Sequence, residues 1–158
     1  MNGIKAILEV FPYVITKEMN VDLAREFTKA DIDHALKQMA PFKAPGPDCM
    51  LPIFYQHYWH LIGDDVARAV LYYLQNGYFP PDLNHNYLTL IPKVKKPEQV
   101  TELQPIALCN VLYKLVLKVL ANRLKKILPL IISKTQSAFQ SDKAISGNIL
   151  VAFQTFIT

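Results

Sequence analysis

Gln104-Pro105-Ile106-Ala107-Leu108-Cys109-Asn110-Val111-Leu112-Tyr113-Lys114-Leu115-Val116 joins an apolar run of strand length to the start of a long helix. Pro105 to Cys109 matches an earlier run, Tyr87 to Ile91, and the polar segment from Lys93 to Leu103 lies between them. The two runs predict an antiparallel hairpin with a long loop, basic first and acidic after. Beyond Asn110, the spacing predicts a helix from Val111 to Leu128. Leu112, Val116, Val119, Leu120, Leu124 and Ile127 form its buried stripe, with Lys114, Lys118, Asn122 and Lys125 along another face. Pro129 is expected to stop it.

Upstream, the chain reads as helices punctuated by Pro and Gly. Thr28 is placed to cap a helix whose apolar positions Ile32, Ala35, Leu36 and Met39 fall at i, i+3, i+4 and i+7. Pro41 ends it, and Pro45-Gly46-Pro47-Asp48 forces a turn. The aromatic-rich segment from Pro52 to Ile62, with Phe54, Tyr55, Tyr58 and Trp59, predicts a short helix that Gly63 breaks. A further helix follows from about Asp65 to Gln75, with Val66, Ala69, Val70 and Tyr73 inward, and Asn76-Gly77 stops it. Pro80-Pro81 predicts an extended connection. Residues 1–16 lack clear periodicity and read as a lead-in or linker remnant. Ser133 to Ser146 reads as loop, and Gly147 to Ile157 as a last helix bearing Ile149, Leu150, Phe153 and Ile157. The expected class is α+β, mainly helical, with a small antiparallel hairpin.

With 51% of its 158 residues apolar, the chain can bury one core in a single domain. Cys49 and Cys109 are far apart, with no CxxC pair and no zinc-like spacing, which argues for reduced thiols in an intracellular protein of nucleus or cytoplasm. The longest apolar run, Ile127 to Ile132, is far short of the roughly 20 residues a bilayer span needs. Lys5, Glu9 and Pro12 interrupt the apolar amino terminus and no cleavage site follows, so neither secretion nor a membrane partner is expected. The net charge of +4 hides an asymmetry. Residues 1–84 carry seven Lys/Arg against ten Asp/Glu, a charge of −3, and residues 85–158 carry ten against three, a charge of +7. A basic half suits a polyanion, nucleic acid above all, because each neutralised phosphate releases counterions. A solvated basic face is equally compatible with the charge alone.

Gly63-Asp64-Asp65 looks at first like a polymerase metal site. Two-metal catalysis needs carboxylates converging on ions about 3.5–4 Å apart from rigid strands, whereas this pair opens a predicted helix, with Asp64 as N-cap and Asp65 at the favourable end of the dipole. His57 and His60, spaced i, i+3, lack a third ligand, and His34 and His85 stand alone. No Gly-x-Ser-x-Gly elbow marks a serine nucleophile. From charge, Lys95, Lys96, Lys114, Lys118 and Lys125 are candidates for contact with a nucleic-acid backbone.

Three blocks in fixed order, Lys43-Ala44-Pro45-Gly46-Pro47-Asp48, Leu90-Ile91-Pro92-Lys93 and Gln104-Pro105-Ile106-Ala107-Leu108-Cys109-Asn110, resemble the fingers region of reverse transcriptases of plant LINE-type (non-LTR) retrotransposons. Gln136-Ser137-Ala138-Phe139 matches a further block, and the resemblance runs from about Val14 to Phe156. It implies a fingers-like fold over residues 17–158, a partial reverse-transcriptase domain that stops before the catalytic palm. The first block would lie near the template. Lys43, Lys93, Gln104, Asn110 and Lys143 fall on positions that approach nucleotide or template. The complete enzyme copies RNA into DNA with Mg²⁺ held by palm aspartates, which the resemblance places beyond Thr158. No catalytic residue, metal ligand or cofactor is therefore expected in this chain. The chain departs from the family at Cys49, where Gly is usual, at Gln104, where Arg is usual, and at Asp142 and Gly147. The expected function is that of an RNA-directed DNA polymerase fragment, inactive alone, with weak affinity for RNA or DNA and a palm domain in trans as a further partner. The alternatives are a non-catalytic nucleic-acid-binding module or a decayed relic without molecular role.

Overall fold

The computed structural model describes residues 15–132, where helices dominate and one antiparallel pair of strands completes an α+β fold. The expected loop from Ser133, the final helix, Lys143 and the block at Gln136 lie outside the described residues. The chain divides into a unit of residues 26–122 and a second unit formed by the residues up to Arg25 together with those from Arg123 onward.

In the second unit, α1 (Lys17–Ala24) is a helix that the sequence pattern does not announce; the Thr16 hydroxyl caps it by accepting from Met19 N–H at 3.2 Å. Arg123 is buried there, its guanidinium donating to the carbonyls of Leu23, at 2.9 Å, and Arg25.

The larger unit opens with α2 (Lys29–Lys37). Thr28 and Asp31 form a reciprocal capping box, worth about 1 kcal/mol. Ile32, Ala35, Leu36 and Met39 are buried, as their spacing predicts. After the turn at Lys43 to Cys49 come α3 (Pro52–His57) and α4 (Trp59–Asn76). The break between them falls at Tyr58, not at the predicted Gly63. The Tyr58 N–H closes α3 on Phe54 O, while its carbonyl accepts from Leu61 and Ile62 to start α4. Gly63 lies inside α4, where a Cβ would come within 2.9 Å of the Trp59 indole. The helix tolerates this glycine because its bare backbone makes room for Trp59, whose Nε1 donates to Asp33 at 2.9 Å.

Two further expectations change with that boundary. Asp64 and Asp65 are mid-helix and project about 100° apart. Asp64 pairs with Lys29 and Asp65 with Arg68, so neither caps α4 and the two do not converge. His57 and His60 sit on different helices, both exposed, so the shared face predicted from their spacing does not exist. Gly77 ends α4 as expected, at φ +64°, with its N–H on Tyr73 O at 3.0 Å. Pro81 then opens a single helical turn, α5 (Pro81–Asn84), in place of a wholly extended connection, because its fixed φ suits a first helical position.

Strands β1 (Asn86–Pro92) and β2 (Leu103–Cys109) pair antiparallel with Tyr87 opposite Leu108, Thr89 opposite Ile106 and Ile91 opposite Gln104. Both strands are edges of a two-stranded sheet, which is why Pro105 fits opposite Leu90. Their connection contains a turn of 3₁₀ helix, Val100–Glu102, fastened by the Glu102 carboxylate, which accepts from Glu98 N–H at 2.7 Å and Gln99 N–H at 3.1 Å.

Helix α6 (Val111–Leu124) ends a turn earlier than predicted, and Pro129 lies in the first turn of a separate short helix, α7 (Leu128–Ile131). The buried apolar positions of α6 are Val111, Leu115, Val116 and Val119; of the predicted stripe Val116, Val119 and, beyond the helix end, Ile127 are buried, while Leu120 is 37% and Leu124 45% exposed. The inward face is thus rotated from the predicted stripe, with Leu115 at its centre. These side chains meet Ile32, Ala35, Leu36 and Met39 of the α2 region, Tyr55 of α3, and Ala67 and Val70 of α4 in one core.

Candidate functional site

Two of the three sequence blocks, distant along the chain, come together at the junction of β2 and α6, while the third, Leu90 to Lys93, runs to the opposite end of the hairpin. Gly46 is buried with its backbone laid on the peptide joining Cys109 to Asn110. A Cβ there would stand 2.4 Å from Cys109 C and Asn110 N, so only glycine permits this approach. Asn110 is 3% exposed and uses both ends of its amide. Its Oδ1 accepts from Asp48 N–H at 3.1 Å, and its Nδ2 faces the carbonyls of Leu83 and Asp82 at 3.4 and 3.5 Å. One turn along α6, Lys114 Nζ donates to Ala44 O at 2.7 Å. Burial is the main cause lowering the Lys114 pKa and nearby Lys43 adds to it, while Cys109 and Asp48 act in the other direction.

The turn so held presents Lys43 to solvent at its start. It closes with Cys49, whose N–H reaches Gly46 O at 3.0 Å and whose φ is +56°. Cys49 thus sets a side chain on left-handed backbone, at the position where the retrotransposon enzymes it resembles in sequence usually have Gly. Beneath the turn, burial raises the Tyr55 pKa, and the negative charge of Asp48 adds to this.

At the far end of β1, Lys93 is tied to the closing of the hairpin. Its N–H donates to Glu102 O at 2.8 Å and its Nζ to Thr101 O at 3.0 Å. Lys95 and Lys96 follow on exposed bends, and Gln104 is exposed on β2. The Glu102 carboxyl is held below the usual range by the N–H of Gln99 and then of Glu98, which keeps it ionised as the anchor of this loop. Lys118 is half-buried on α6, and Lys125 is exposed in the second unit.

The structure therefore gathers Asn110, Lys114, Gly46 and Asp48 around one turn and sets Lys93, Lys95 and Lys96 at the hairpin's distal end. Sequence reasoning selected Asn110 and Lys114 without seeing that they serve the turn. The available signal was their spacing of four, which places them on one helix face.

Among the described residues, no three His, Cys, Asp or Glu side chains gather as metal ligands. Among them also, no helix is long and apolar enough to cross a membrane. No protein-family profile matches the chain. It is similar to the uncharacterized 149 kDa protein of Transposon TX1 from Xenopus laevis, with 27% identity over 138 residues. That match takes in 87% of this chain and 11% of the transposon protein, so the chain spans about a ninth of its relative's length. The likeness is thus to a protein carried by a transposable element.

Proposed function

We propose that the chain is the fingers segment of an RNA-directed DNA polymerase of a LINE-type, non-LTR retrotransposon. In this reading it lies against template and incoming nucleotide, and by itself it binds RNA or DNA weakly without polymerising. The observation that carries the proposal is the assembly of blocks 43–48 and 104–110 into one packed unit, with Gly46 seated on the peptide between Cys109 and Asn110. Motif fragments shared by chance have no reason to fit one another in this way. Similarity to a transposon's protein supports the same reading.

Polymerisation requires carboxylates that grip Mg²⁺, and the described residues do not fit that ion: Asp64 and Asp65 diverge on α4 and are each paired with a cation. The work left to this chain is to hold phosphates with Lys43, Lys93, Lys95 and Lys96. Purified chain supplied with an annealed primer on RNA, Mg²⁺ and nucleotides is expected to give no extension. Labelled single-stranded RNA is expected to bind at micromolar or weaker affinity that falls steeply with salt. Extension by the chain alone refutes the inactivity, and salt-insensitive or absent binding refutes the nucleic-acid role.

A second reading, a binding module with no part in polymerisation, is favoured by the exposed Lys95 and Lys96 at the hairpin's end. Adding a palm domain of the same polymerase class in trans separates the two, because only the fingers reading expects extension to be restored.

A further inference from the structure

We infer that Asn110 and Lys114 are positioning residues, a latch at the start of α6 that locks the turn from Lys43 to Cys49 onto the end of β2 and so fixes where Lys43 stands. The consequence for binding rests on the nucleic-acid reading proposed above.

Lys114 and Ala44 are 70 residues apart in sequence, yet the ammonium meets the carbonyl at 2.7 Å. A lysine used as a phosphate contact keeps its head in water on a mobile stem. Lys93 also donates to a backbone carbonyl but stays exposed, whereas Lys114 runs half-buried across the junction to reach the turn's backbone. Asn110 complements it by offering one acceptor to Asp48 N–H and one donor to the carbonyl of Leu83, so a single buried amide joins the turn, α5 and α6. No carboxylate or aliphatic side chain supplies both halves. Gly46 completes the seat, since any Cβ would push the turn away from Cys109. Lys43, exposed at the start of this turn, inherits its position from all three anchors.

The test uses the full chain with Lys114→Met, which keeps the apolar stem and removes the ammonium, and Gly46→Ala as an independent way to unseat the turn. Amide exchange is followed at Asp48 and Cys49, with Leu36 and Val70 as reporters of the core. Both variants are expected to speed exchange in the turn by about tenfold while the core reporters hold. Affinity for labelled single-stranded RNA is then measured for Lys43→Ala, Lys114→Met and the double variant. A latch predicts that the double variant binds no more weakly than Lys43→Ala alone, because Lys114 acts through the placement of Lys43. Additive losses with unchanged exchange in the turn would make Lys114 a direct phosphate contact and overturn the inference. If the wild-type chain binds no RNA, the proposed function falls and the exchange measurements still decide the latch.

Discussion

Cys49 carries a side chain at φ +56°, in the left-handed region where a Cβ crowds the following carbonyl. The surroundings hold it there: Cys49 N–H is fixed to Gly46 O, and the preceding residue is bound through Asn110. Glycine adopts the same angle without that crowding, although it adds freedom to the unfolded chain. Relief of strain outweighs this entropy at such an angle, so Cys49→Gly is expected to stabilise the protein by about 0.5–1 kcal/mol in chemical denaturation. A midpoint that stays put or falls would mean that the turn relaxes around Cys49 at no cost. The Pro-Gly-Pro-Asp turn is legible in the sequence because it rests on local chemistry, whereas the special angle at position 49 is signalled only by the resemblance, in which Gly is usual there. The clasp by Asn110 and Lys114 is not legible, since it depends on residues more than sixty positions away.

The same division between local and distant causes runs through the elements. Helix α2 is legible because its cap and its apolar spacing point to one answer, and the hairpin because its two strands are short, apolar and bounded. Gly63 misleads because a glycine inside a helix is ordinarily unfavourable, and only the neighbouring Trp59 explains it. Helix α6 misleads differently. It is apolar at Val111, Leu112, Leu115, Val116, Leu117, Val119 and Leu120, so periodicity alone does not select which face turns inward. The observed face makes a sharp expectation: Leu115, 0% exposed, should cost about 2–5 kcal/mol on replacement by Ala, whereas Leu120→Ala should cost under about 1 kcal/mol. Equal losses in thermal or urea unfolding would restore the predicted stripe. The hairpin's loop has a pH dependence of definite sign. Because the Glu102 pKa is lowered in the folded chain, its contribution is present above the pKa of a free glutamate and is lost as pH falls through the folded value. The amide resonances of Glu98 and Gln99 are therefore expected to titrate below the ordinary glutamate range, and Glu102→Gln to remove that transition. Resonances that stay flat in acid would show that the carboxylate does not fasten the loop.

Taken as a whole, the charge of +7 on residues 85–158 is divided among sites of different character, and that division sets what binding can look like. Lys114 is engaged with Ala44 O and Arg123 with the Leu23 carbonyl, so part of the positive charge serves the fold. Lys95 and Lys96 stand exposed on the hairpin's loop, attached to a ribbon whose Leu88 is 68% and Leu90 52% exposed. A two-stranded ribbon with both faces open has little packing of its own, and a surface built this way gains from being covered. If single-stranded RNA is what these lysines meet, each phosphate they neutralise contributes about 0.7 to the slope of log K against log salt. Lys95→Gln with Lys96→Gln should therefore lower that slope by about 1.4 and weaken binding at low salt far more than at high salt. Because both side chains are exposed, the variant should unfold at the wild-type midpoint. A slope that survives the double replacement would remove the hairpin's lysines from the interface and leave the turn at Lys43 to account for whatever binding remains.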